Sequence, residues 1–512
     1  MSNQTIILMK KNLQILFLFL LALIQGTNMQ AQNNPNIKRT MHWYFGYGAG
    51  LDFSSGSPVV DTTGKSAGPE DCFTMSDTCG NLLFYGAEDS TNCKLIIWTK
   101  NHTVMQNGIL TSCLNPTQTV CVPQPGNDSL FYVFYTHFGS CVNGKLLYAI
   151  INLNHNNGLG EIVSSDNVLI DSLSTEKVAA TLHCNGTDYW IAGKDRGNWL
   201  PTGNQLRVWL LTANGLNTTP VVSTPGNIGW ENGDGYFRFS PDGSMSAVAY
   251  VNQTSIFQDD SSYVEVYKFD NCTGIFTDPI TIQFPQAYGL CFSPDNSKLY
   301  VGCCDGIFCG EVDTAYIKQY DLSNYNLSSV LASAVILKQG AIGNHFQIGL
   351  DGKIYVAGFD TLLQNYGSDR LGVIQNPNLQ GFACNYNAGQ INLLNAPSLP
   401  IGYSADEGLP YYPDSYFNSF YFSPCEPNNI DTFNELAKIN IYPNPANDYI
   451  IIKNNEYSDY SIKIYDILGN LLNERAIKTD ERIDISSFLS GIYLIQLYIS
   501  NFQFINLKFV KS

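Results

Sequence analysis

Glu70, Glu176, Asp234 and His345 each stand at or near the head of an apolar, alternating stretch, with Asp71, Lys177 and Arg238 as near neighbours. If folding gathers those heads, three carboxylates and an imidazole could bind a cation or a sugar, or stage general acid–base chemistry. The plainer reading is a solvated cavity mouth that needs polar side chains for its own hydration.

Other reactive patterns are weaker. No Walker-type loop, HExxH helix or GxSxG elbow occurs. "GYGAG" at residues 46–50 is glycine-rich, but no helix follows it to receive a phosphate, so close strand packing is the expected role. Cys303, Cys304 and Cys309 cluster in "VGCCDGIFCG" without paired CxxC units or a nearby histidine, and no metal or cofactor is expected. Asp242, Asp295 and Asp351 sit in hairpin turns instead of a clustered DxDxDG loop, so turn geometry explains them better than calcium does. His183 in "ATLHCNG" reads as a core histidine, and Trp190 and Trp230 as blade filling or sugar-stacking rings.

These residues need a scaffold, and composition limits the choice. The chain has 512 residues, too many for one ordinary core. It is 44% hydrophobic, 13% aromatic and only 14% charged, with 43 glycines and few runs of helical period. Strands and turns follow from that, and the fold class is all-β. A net charge of −17 argues against nucleic acid, whose phosphates need a basic surface. Lys10 and Lys11, the apolar run from Ile15 to Ile24 and the small Ala31 have the layout of a secretory signal peptide over residues 1–31. No later segment is long and apolar enough for a spanning helix, so an exported, soluble mature chain is expected. In that setting disulfides are the first reading of the fourteen cysteines, all between Cys72 and Cys425.

A repeat emerges from the turns. "FRFSPDGSMSAVAY", "LCFSPDNSKLYVG" and "FQIGLDGKIYVAG" each place Asp-Gly or Asp-Asn between two apolar strands. Weaker copies lie upstream, and the markers Gly80, Gly126, Gly186, Gly243, Asn296 and Gly352 recur about every fifty residues, room for four strands each. That is the spacing of β-propeller blades. Six blades are marked directly. The strand-like ends "HWYFGYGAGLDFSSGSPVV" and "GLPYYPDSYFNSFYF" are expected to pair and close a seventh composite blade, with six blades as the alternative.

The "SPDG" hairpins resemble those of a broad propeller group. Residues 42–421 also look like secreted propeller proteins of undefined activity, through "WYFGYGAGLDFSSGSP", "GNLLFYGAED", "IIWTKNHTVMQNG" and "LGVIQNPNLQGFACNY". This resemblance implies architecture and export, and brings no catalytic residues with it.

Past Pro424 the character changes. A Pro- and Asn-rich linker over 424–437 leads into short strands, and cysteine is absent beyond Cys425. About seven strands in so short a segment indicate a small β-sandwich over 438–512. "IYPNPANDYIIIK", "IKIYDILGNLL", "IDISSFLSGIYLIQL" and the closing "KFVKS" resemble, in that order, the type A C-terminal sorting domain of type IX secretion. The resemblance implies no catalysis there, but recognition by the outer-membrane translocon and sorting machinery. Tyr442, Pro443, Asn444 and Pro445 mark its entry, Gly491, Ile492 and Tyr493 its late strand, and Lys508 and Lys511 its basic finish.

The expectation is therefore an exported cell-surface or extracellular propeller over 42–423, more a glycan- or protein-binding module than an enzyme. The alternative is a secreted hydrolase or lyase using acids around the channel. Fold alone does not choose between them.

Overall fold

The computed structural model describes residues 36–68, 71–89, 94–111, 118–139, 142–163, 168–172, 174–195, 204–226, 235–250, 262–284, 287–303, 316–339, 345–358, 369–393, 408–418, 439–454, 459–466, 471–478, 481–500 and 503–511. The proposed signal peptide and linker, Glu70, Asp234, Trp230, Cys304 and Cys309 lie outside them. The chain divides into two compact units, Met1–Pro424 and Cys425–Ser512.

The first unit begins from hairpins. In "SPDG" the Gly243 N–H donates to the Ser240 carbonyl (2.8 Å), and Asp242 accepts from the Ser240 hydroxyl (2.6 Å) and the Ser244 N–H (2.9 Å). Gly243 has φ +70°, the left-handed backbone that this turn requires and a side chain would strain. Ser293, Asp295 and Ser297 repeat the arrangement, with Asn296 at φ +65°. Asp351 accepts from the Lys353 N–H and the Tyr355 hydroxyl. All three aspartates thus serve their own turns.

Each hairpin starts an antiparallel meander, and seven meanders follow one another among the described residues. Their innermost strands are His42–Phe45, Cys72–Ser76, Val120–Gln124, Ser174–Leu182, Phe237–Phe239, Ala287–Phe292 and His345–Ile348. Those strands pack against one another in chain order, and the second and third meanders are also joined by a parallel pairing of Gln106 with Glu161. Trp43 of the first meander meets Tyr355 of the seventh edge-on at 5.4 Å, and Phe53 meets the same ring at 5.6 Å, which brings the two ends of the series together. The unit is a β-propeller.

Of the stretch expected to close a composite blade, residues 408–418 are described and residues 419–422 lie outside the described residues. The first sheet has three strands, and residues 408–418 contain no strand. Pro410 and Pro413 remove two ladder donors from this segment, so it cannot pair as a regular fourth strand. It has another place, described below. "GYGAG" spans the first hairpin turn and the start of the strand Ala49–Asp52, and Gly50 on that strand has no room for a Cβ, which would lie 2.6 Å from the Trp43 carbonyl oxygen.

The second unit is a β-sandwich. One sheet pairs Ile439–Tyr442, Tyr449–Asn454 and Arg482–Asp484; the other orders Leu471–Lys478, Asp459–Asp466, Gly491–Ser500 and Gln503–Lys511. All seven strands read from the sequence are present. Ile450, Ile452, Ile462, Ile464, Ile483, Ile495 and Phe509 fill the space between the sheets.

Candidate functional site

Gly408–Phe417 is buried throughout, although it has no strand partner. Its contacts explain why. The Leu409 N–H donates to His345 Nδ1 on the seventh meander (3.0 Å), and the Tyr411 N–H to the Cys72 carbonyl on the second (3.2 Å). The Tyr412 hydroxyl reaches the His42 carbonyl on the first (2.8 Å). Ser415 Oγ accepts from the Leu182 N–H on the fourth (3.1 Å), and Asp414 pairs with Arg238 on the fifth (3.4 Å). A segment that reaches inner strands from opposite sides of the ring lies at its centre. The chain fills its own channel.

The polar part of this plug centres on Arg238, whose side chain is 0% exposed. Its Nη1 donates to Gln347 Oε1 (3.1 Å) and faces Asp414, while Nη2 lies 2.9 Å from His345 Nε2 and also donates to the Phe346 carbonyl. The Tyr411 ring lies 4.4 Å from the guanidinium carbon, a cation–π contact. Arginine and a backbone N–H only donate, and a neutral imidazole accepts at one ring nitrogen alone, so Leu409 and Arg238 compete for that lone pair and neither favours an imidazolium. Burial, reinforced by the Arg238 charge, holds the His345 pKa well below its ordinary value. Burial raises the Asp414 pKa to about 6, against the opposing pull of Arg238.

Asp71 is a second buried acid. It accepts from the Thr119 hydroxyl on the third meander, and burial, with Glu88 adding to it, raises its pKa to about 8. A carboxyl so placed keeps its proton near neutrality, the state a general acid needs.

Of the four residues first singled out, the structure describes two. Glu176 is buried on Ser174–Leu182, and His345 is buried on His345–Ile348, so they belong to different inner strands. Sequence reasoning noticed Arg238 only as a neighbour and missed Asp414. The signal was an acid between two aromatic pairs in "YYPDSYF", which reads locally as strand punctuation.

Several secondary expectations change. His183 is half-buried one residue beyond its strand, in a turn where its ring accepts the Asn185 N–H (3.0 Å), and so is no core histidine. Trp190 is 5% exposed and donates to the Asn271 carbonyl of the next meander, so it fills a blade interface and presents no face for sugar stacking. Cys184 and Cys272 form a disulfide between turns of the fourth and fifth meanders. Cys72, Cys121, Cys291 and Cys384 are buried free thiols, because those positions face packed interiors. Among the described residues no group of three or more potential ligands could hold a metal ion.

In the sandwich, residues named from separate stretches of sequence come together. Asn444 Oδ1 accepts the Val510 N–H (2.9 Å), and the Ala446 N–H donates to the Val510 carbonyl (2.7 Å). Gly491, Ile492 and Tyr493 pair with Lys511, Val510 and Phe509, and Leu494 with Lys508. Tyr442, Pro443, Asn444, Pro445 and Gly491 are exposed, whereas Tyr493 is buried.

Residues 440–512 match the family described as the secretion system C-terminal sorting domain. No curated protein matches the chain. Among solved structures, one of Sqt1 from Chaetomium thermophilum bound to the N-terminus of a ribosomal protein is 13% identical, with a TM-score of 0.36 over 64% of this chain and 76% of that one. A puromycin hydrolase variant is 13% identical, with a TM-score of 0.34 over 68% of this chain and 48% of that one. Among the described residues no helix is long and apolar enough to cross a membrane. The chain is thus a β-propeller carrying a type IX secretion sorting domain, which directs its export to the cell surface or extracellular space.

Proposed function

We propose that the exported propeller is a non-enzymatic binding module for an extracellular glycan or protein. The observation that carries this reading is the filled channel. The ring's centre holds the chain's own Gly408–Phe417, and Arg238, His345 and Asp414 face one another there in place of a substrate. His345 has donors at both ring nitrogens and is poorly placed to move a proton.

Ligand then meets the outer end of the channel, where the innermost strands begin. Glu176 belongs to that end by its place on Ser174–Leu182, and His345 is part of the plug; Glu70 and Asp234 are assigned to the same ligand set from their places in the sequence repeat alone. Glycan and protein arrays probed with the mature, secreted protein test this. Specific capture that weakens on Glu176→Gln supports it, and no capture on either array counts against it.

One observation favours a second reading. Asp71 keeps a proton near neutral pH and sits at the head of an inner strand, as an acid catalyst of a hydrolase or lyase would. Turnover of a glycoside or lactone that Asp71→Asn abolishes would replace the binding reading with this one.

A further inference from the structure

The fourth and fifth meanders end on the outer strands Val221–Ser223 and Ile275–Gln283, and among the described residues each carries a ladder on one side only. Between them runs an open groove of about 430 Å³, lined by residues 221–225 and 275–279. Its floor is buried. There the Phe276 N–H donates to the Ser223 hydroxyl (3.1 Å) and ties one strand to the other. Its walls carry Val222 and Ile275, which are 48% and 44% exposed. Two β-branched side chains left open along one groove form an apolar surface without cover.

The open stretch is short, and the chain itself sets its limits. Pro225 bounds one wall and Pro279 the other, and neither offers a backbone N–H. Lys268 pairs with Thr277 and Val266 with Ile280, so Asp278 and Pro279 together stand opposite Tyr267 alone, as a bulge. Asp278 has φ +50°, and the Tyr325 hydroxyl lies 2.8 Å from its carbonyl, which fixes the bulge. The Asp278 carboxylate is left exposed at the end of the groove, with no cation paired to it among the described residues.

These features select an occupant. A strand edge with free backbone groups takes an extended chain, apolar walls take apolar side chains, and an unpaired carboxylate takes a cation. Val221–Ser223 and Ile275–Thr277 have room for a short segment only. A second copy of this chain would bring its own net charge of −17 against the same charge, which opposes self-association. We propose that the groove binds a short extended segment of a basic partner protein, which seats a branched apolar side chain between Val222 and Ile275 and a lysine or arginine on Asp278. The site lies on the outer wall of the propeller and is independent of any ligand at the channel mouth.

The test titrates the full secreted chain into a library of labelled, end-capped hexapeptides with valine or isoleucine at alternate positions and one lysine, followed by fluorescence anisotropy. Saturable binding is expected below about 1 mM, the weak end of protein recognition. Asp278→Asn should weaken it about threefold, the scale of one exposed ion pair, and should erase the preference for lysine over glutamate in the peptide. A central proline, which cannot add to a strand edge, should weaken binding about tenfold. Val222→Asp should abolish binding and Val222→Ile should keep it, both with an unchanged melting temperature because the position is exposed. Saturation by no member of the library at about 1 mM, or equal binding to Val222→Asp, overturns the proposal. So does a dimer in sedimentation that Val222→Asp dissolves, because a second copy then fills the groove.

Discussion

Asp414 lies 3.4 Å from Arg238, and both side chains are completely buried, although 176 positions separate them in sequence. The pair ties the last segment of the propeller to the inner strand of its fifth meander. A buried ion pair adds little net stability over an apolar pair of the same shape, but breaking it from one side is costly. The Arg238–Asp414 contact therefore acts as a latch on the plug more than as a source of stability.

Removing the acid alone leaves the guanidinium uncompensated. Asp414→Ala should destabilise the propeller by about 3–5 kcal/mol, read as a lower denaturation midpoint in urea. Replacing both partners, as Arg238→Met with Asp414→Leu, should recover most of that loss. A midpoint for Asp414→Ala equal to the wild type would show that the latch carries no load.

Asp71 should make stability depend on pH. Its folded pKa of about 8 lies above the unfolded value, so its contribution is full at low pH and is lost as pH rises toward 8. The slope is about 1.4 kcal/mol per pH unit for a single group across that window. Asp71→Asn should flatten this part of the profile and leave the variant more stable than the wild type at pH 8, as followed by thermal melts from pH 5 to 9.

His345 works in the opposite direction. Its pKa is depressed by burial and by Arg238, so its contribution is present above the unfolded pKa of about 6.5 and is lost as pH falls below it. The folded ring should stay neutral. Imidazole NMR signals assigned to His345 should not titrate between pH 5 and 8.

The Cys184–Cys272 bond closes a loop of 88 positions between neighbouring meanders. Loop-closure entropy gives such a link about 2–4 kcal/mol. Replacing both cysteines by alanine should lower the melting temperature without changing the far-ultraviolet circular dichroism of the native state.

The sequence alone determined whatever is written in short-range pattern. Alternation and Asp-Gly turns marked the hairpins, and the seven strands of the sandwich could be read one by one, since a strand with one buried face declares itself every second residue. The same holds for the sorting domain, whose blocks lie in order along the chain. Tertiary structure decided the rest. "GLPYYPDSYF" has the aromatic content of a strand, but its two prolines and the buried Arg238 opposite Asp414 place it in the channel. No local pattern records a partner 176 positions away. The corner at Asn444 was visible as a corner; that it clamps Val510 is a fact of the fold, because a hydrogen bond between distant segments leaves no periodicity in either.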